Sequence, residues 1–67
     1  MTLREVIRMT RIRYNLSQKE VGEALDSTRN YINMVENHTG NVGLSEEKAK
    51  EIIDVIYKIG EEKRRRL

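Results

Sequence analysis

The sequence predicts an all-α domain of four helices, or of five, on three observations. The 67 residues contain no Pro and only four Gly, so long helices are permitted. Hydroxyl residues stand at legible helix starts, twice followed three residues later by Glu. After each start, apolar residues recur at the 3-4 spacing of one helical face.

Thr2-Leu-Arg-Glu5 and Ser17-Gln-Lys-Glu20 are capping-box patterns, in which the hydroxyl accepts a first-turn amide and the Glu reaches back to the cap amide. The first helix is expected over about Leu3 to Tyr14, with Leu3, Val6, Ile7, Thr10 and Tyr14 on one face. Asn15 ends it, because Asn tolerates the left-handed conformation better than most residues. The second helix, about Gln18 to Leu25, buries Val21, Ala24 and Leu25, and Gly22 leaves room for another helix to approach. Asp26-Ser27-Thr28 breaks the pattern with residues that favour turns and caps. In the third helix Tyr31, Val35, Thr28 and Ile32 share one side, while Arg29, Asn33, Asn37, Asn30 and Met34 share the other. His38-Thr-Gly-Asn-Val-Gly43 reads as a loop. Ser45 caps a long fourth helix whose Glu46 and Glu47 suit its positive end, with Ala49, Ile52, Ile53, Ile56 and Ile59 as apolar positions. The pattern leaves open whether this helix stops near Gly60.

One domain, 1–67, accounts for the whole chain. A chain this short buries roughly 60% of the surface that it exposes when unfolded, so its stability margin is thin. With no Cys and one His, neither a disulfide nor a metal site is expected to add to it. The first residues lack an apolar signal-peptide core and no apolar run approaches 18 residues, so a cytoplasmic, non-membrane protein is expected. A net charge of +2 is weak evidence for a polyanionic partner. Nor is charge segregated along the chain. Residues 1–44 hold six basic and five acidic side chains and residues 45–67 hold seven and six, so each part sums to +1.

Function becomes visible in the middle of the chain, over residues 17–37. Two short helices joined by a three-residue turn, the second polar on its outer face, have the helix-turn-helix layout that sets a recognition helix in the DNA major groove. The segment Leu16-Ser-Gln-Lys-Glu-Val-Gly-Glu-Ala-Leu-Asp-Ser-Thr-Arg-Asn-Tyr-Ile-Asn-Met-Val-Glu-Asn37 resembles, without a gap, the L-S-Q-x-E-L-A-x-x-x-G-[VT]-[ST]-x-x-x-I-S-x-[IL]-E-N core of the phage repressor and Cro type (XRE-like) helix-turn-helix family. Agreement at Leu16, Ser17, Gln18, Glu20, Ile32, Glu36 and Asn37 is specific, and Leu44 is also in step. The resemblance covers about residues 3 to 57.

It implies a lambda-repressor-like fold and a sequence-specific transcriptional regulator, a repressor of the kind carried by a phage, plasmid or other mobile element, that binds a palindromic DNA operator as a homodimer. Carried over by position, Thr28, Arg29, Asn30 and Asn33 face base edges, where Arg suits guanine and Asn suits adenine. Gln18 meets phosphate, and Asn37 meets it through its backbone amide or its side chain. Arg11 and Glu36 form a structural ion pair joining the first helix to the end of the third.

Three departures modify those expectations. Asp26 replaces the turn Gly, and Met34 stands where a polar residue is usual. His38-Thr39 replaces a Gly-Lys pair that clamps phosphate, which predicts weaker DNA binding with a shallower salt dependence. The apolar excess of the fourth helix marks Ile52, Val55, Ile56 and Ile59 as a dimer or partner surface. These features also suit an alternative, an accessory protein with the same fold that binds another regulator or a replication or conjugation protein. Nothing suggests an enzyme or a cofactor: the single His has no nucleophile beside it and no Gly motif cradles phosphate.

Overall fold

The computed structural model describes residues 1–40 and 42–66. Its elements are α1 (Leu3–Arg13), α2 (Gln18–Ala24), α3 (Arg29–Asn37) and α4 (Glu46–Arg65), with no strand among the described residues. Both capping boxes form. Thr2 accepts the Glu5 amide at 3.2 Å and Ser17 accepts the Glu20 amide at 3.0 Å. The return bonds from the cap amides hold the Glu5 and Glu20 carboxyls below the usual carboxylate range. Thr28 caps α3 and Ser45 caps α4 in the same way. Thr28 is therefore the cap of α3, not a member of its buried face.

Three helix ends are closed by one device without using Gly. Asn15, Asp26 and His38 take left-handed conformations, φ 57, 55 and 53. Behind them Leu16, Ser27 and Thr39 donate backbone bonds to the carbonyls of Arg11, Gly22 and Met34, five residues earlier. This is the six-to-one bond of the Schellman motif, which satisfies a carbonyl that the last helical turn would leave orphaned. Asn41, which the sequence places in the loop before α4, lies outside the described residues.

The core draws on all four helices and the first turn: Ile7, Leu16, Val21, Ile32, Val35, Ala49, Ile52 and Ile56. Against expectation Ala24 and Leu3 are exposed, and Leu25 is half-buried. The fourth helix requires a larger correction. Ile52 and Ile56, expected on a dimer or partner surface, are 0% exposed. Packing of α4 against both α1 and α2 buries a wider sector than one neighbour would. The apolar excess is used within the monomer, and only the half-buried Val55 and Ile59 of that set retain surface. Opposite the core α4 presents Lys50, Glu51, Asp54, Lys58 and Arg65, all exposed and charged.

Two glycines mark close approaches. At Gly22 an added Cβ would lie 2.6 Å from the Thr28 carbonyl carbon and oxygen, so the backbone of the helix-turn-helix fits only a very small residue there. Gly22→Val is expected to destabilise the domain by about 3 kcal/mol, near the upper end for overpacking, read as a lowered urea midpoint. An unchanged midpoint would show that α3 yields to the side chain.

At Gly60 the ring of Tyr14 occupies the place of a side chain, with a Cβ position 2.5 Å from the ring. Gly60 thus does not stop α4, which continues to Arg65. The Tyr14 hydroxyl donates to Glu61 at 2.8 Å, a bond that raises its pKa above the ordinary phenol value. Arg64 lies 5.1 Å from the ring centroid. Next to it Lys63 donates to the Asn15 carbonyl at 2.7 Å and pairs with Glu20 at 3.4 Å. The basic run at the end of the chain begins as a clasp on the end of α1, not as a free tail.

Candidate nucleic-acid interface

Arg11 and Glu36 position the helices of the site. Arg11 Nε donates to Glu36 Oε2 at 2.7 Å, Nη2 to Oε1 at 2.9 Å, and Nη1 to the Leu16 carbonyl at 2.9 Å. The side chains are 13% and 1% exposed. One guanidinium thus joins α1, the turn before α2 and the last turn of α3, with the forked geometry that Arg offers a carboxylate.

Arg4 does comparable work that sequence reasoning missed. It donates to the carbonyls of Val35 at 2.8 Å and Val42 at 3.0 Å, tying α1 to the end of α3 and the loop beyond it. An Arg on a helix has many surface uses, and no spacing rule singles out this one.

Gln18, Asn33 and Asn37 are brought together as a chain of amides rather than presented separately. Gln18 Nε2 donates to Glu36 Oε1 at 3.3 Å, and Gln18 Oε1 accepts from Asn33 Nδ2 at 3.4 Å. Asn37 Nδ2 donates to the Asn33 backbone carbonyl at 3.1 Å and to Asn33 Oδ1 at 2.9 Å. The amino group of Asn37 is thereby engaged on both hydrogens. Phosphate oxygens only accept, so a phosphate contact from the Asn37 side chain would have to draw its amino group away from Asn33. Gln18 retains one amide hydrogen.

Arg29 and Asn30 stand outside the chain of amides. Both are exposed, and among the described residues neither side chain has a hydrogen-bond or ion-pair partner. Thr28 is exposed beside them, its hydroxyl oxygen occupied as the α3 cap. Met34, on the same helix, is half-buried and its sulfur would lie 3.0 Å from a Cβ at Gly40. It packs under the loop. His38 is exposed and serves the backbone through its left-handed conformation.

A hollow between the starts of α2 and α3 is lined by Arg11, Ser17, Gln18, Lys19 and Arg29, and it adjoins one lined by Arg29, Asn30 and Asn33. Neither lining contains a carboxylate. Glu20 and Glu23 of α2 instead line a groove toward α4, together with Glu62, Lys63 and Arg66. These two hollows are therefore polar and donor-rich, with Arg29 unpaired among the described residues, and they suit an anionic helical surface with base edges to read.

No curated protein and no solved structure matches the chain. A helix-turn-helix family model matches residues 7–56. That span runs from the Ile7 core position through the whole α2–α3 unit to Ile56, and the chain belongs to the XRE-like helix-turn-helix family of DNA-binding regulators.

Proposed function

We propose that this chain is a sequence-specific transcriptional regulator of the Cro or repressor type. As one half of a homodimer it sets α3 into the major groove of a palindromic operator, with half-sites about 34 Å apart. The observation that carries the proposal is a pair of adjoining hollows, neither lined by a carboxylate, on which Arg29, Asn30 and Asn33 stand exposed or half-exposed beside Gln18 and Lys19. Thr28, Arg29, Asn30 and Asn33 read base edges, Arg29 as the fork to guanine. Gln18 gives its remaining amide hydrogen to phosphate. Lys19 is well placed to add a second backbone contact that the sequence pattern did not single out.

Few cations serve this face, so the salt dependence of binding is shallow. Val55 and Ile59 of α4, with Ala24 across the α2–α4 groove from Ile59, are the remainder of the expected subunit surface, and Leu3, Met9, Ile12 and Tyr57 are further exposed apolar side chains.

Operator selection from random DNA at low salt tests the proposal. Arg29→Ala is expected to weaken binding to the selected site by about 1–3 kcal/mol, the range of one bidentate base contact, and to erase preference at one base pair. If affinity and preference are both unchanged, α3 is not the reading helix. If the wild-type chain binds no DNA at low salt yet forms a stable complex with a neighbouring gene's product, the accessory-protein alternative replaces this one.

A further inference from the structure

The amide chain has a defined polarity, and chemistry at both ends sets it. At one end the buried Glu36 carboxylate, already paired with Arg11, only accepts, so the Gln18 atom facing it at 3.3 Å must be the NH2 group. That turns the Gln18 carbonyl toward Asn33, which must answer with its own NH2 at 3.4 Å. At the other end the Asn33 backbone carbonyl also only accepts. The Asn37 atom beside it must be NH2, and the same group meets Asn33 Oδ1 at 2.9 Å. Reversing any one of the three amides places two acceptors or two donors against each other, which forfeits the bond and leaves a like pair in contact. The three side chains hold a single arrangement because each neighbour demands it.

Asn33 lies at the centre of this relay. Its nitrogen points toward Gln18 on α2 and its oxygen toward Asn37 at the end of α3, so the order of donor and acceptor along α3 is fixed before any ligand arrives. Asn37 uses its whole amino group to hold that order.

We infer that Asn37 and Gln18 are positioning residues that fix the amide polarity of Asn33, so that Asn33 selects adenine on one strand and rejects the reversed base pair; this rests on the DNA-reading function proposed above. In the major groove adenine offers N7 as acceptor and N6 as donor, and the reversed pair offers them in the opposite order. An amide free to turn over can follow either order. An amide held from both sides matches one. Asn37 thereby acts on specificity through Asn33, by way of its side-chain amino group.

The test compares the wild-type chain with Asn33→Ala and Asn37→Ala, in low-salt selection from random DNA and by side-chain amide NMR of the free proteins, with circular dichroism confirming that each is helical. The wild type is expected to prefer adenine at one position by about 10-fold or more, within the range of a bidentate amide contact. Asn33→Ala removes that preference. Asn37→Ala reduces it to about 2-fold while leaving the Arg29-dependent preference and the affinity for unrelated DNA unchanged, and it shifts the side-chain NH2 signals of both Asn33 and Gln18. A uniform loss of affinity on all sequences in Asn37→Ala, with the adenine preference intact, would identify a phosphate contact and overturn the inference. NH2 signals of Asn33 and Gln18 that do not respond to Asn37→Ala would overturn it in the free protein. A wild type that selects no sequence would instead defeat the DNA-reading function itself, and a relay present in the NMR spectra would then be structural only.

Discussion

Arg11→Ala is expected to leave little folded protein at 25 °C. The Glu36 carboxylate is 1% exposed and takes two of its three side-chain hydrogen bonds from Arg11. Without that guanidinium, a buried negative charge keeps one 3.3 Å bond from Gln18, and the Leu16 carbonyl loses its side-chain donor as well. Removing one partner of a buried pair costs about 3 to 5 kcal/mol, against a total stability of about 5 kcal/mol for a domain at the small end of the range. A thermal melt followed by circular dichroism should lose on the order of 20 °C or show no transition at all. A drop of only a few degrees would mean that water reaches Glu36. The paired replacement Arg11→Met with Glu36→Leu should be far milder, because no charge is then stranded.

Ile56→Glu is expected to abolish folding at every protein concentration. On sequence grounds Ile56 belonged to a surface shared between subunits, and a charge there would have split a dimer into folded monomers. With Ile56 at 0% exposure among Ile7, Ile52 and the other core residues, Glu must either ionise in the core or remain protonated with an unpaired polar group. Both choices add several kcal/mol to the lost packing of the Ile side chain. The far-ultraviolet helix signal should be lost in dilute and concentrated samples alike. A variant that keeps full helicity and only changes its sedimentation coefficient would return Ile56 to an interface.

What was legible in the sequence followed local chemistry. Thr2, Ser17 and Ser45 begin helices because hydroxyls satisfy orphan amides wherever they stand, and Asn15 and Asp26 end them because short polar side chains tolerate positive φ. The misjudged elements depend on neighbours. A helical wheel shows how wide the apolar sector of α4 is, but not that α1 and α2 both pack against it. The pattern around Gly60 left the end of α4 open, and only the Tyr14 ring, which fills its missing side chain, decides it. An isolated Gly in a strong helical pattern was the available sign of such an approach. Of the amide relay only the shared side of Asn33 and Asn37 was readable, since Gln18 meets Asn33 only after the turn at Asp26 brings α3 across α2. The nearly neutral charge count likewise concealed two adjoining hollows whose linings include Arg29 and no carboxylate.

The division of α3 into tied and free positions has a consequence for how such a regulator changes over time. Asn37 is bonded to Asn33, and Gln18 joins Asn33 to Glu36 and so to Arg11, so a new residue at any of these positions disturbs several partners at once. Arg29 and Asn30 have no such partners among the described residues. A lineage under selection for a different target can replace Arg29 or Asn30 one letter at a time with the fold intact, whereas the other end of the helix must change as a set. Divergence among descendants of this chain should therefore enter through the first turn of α3.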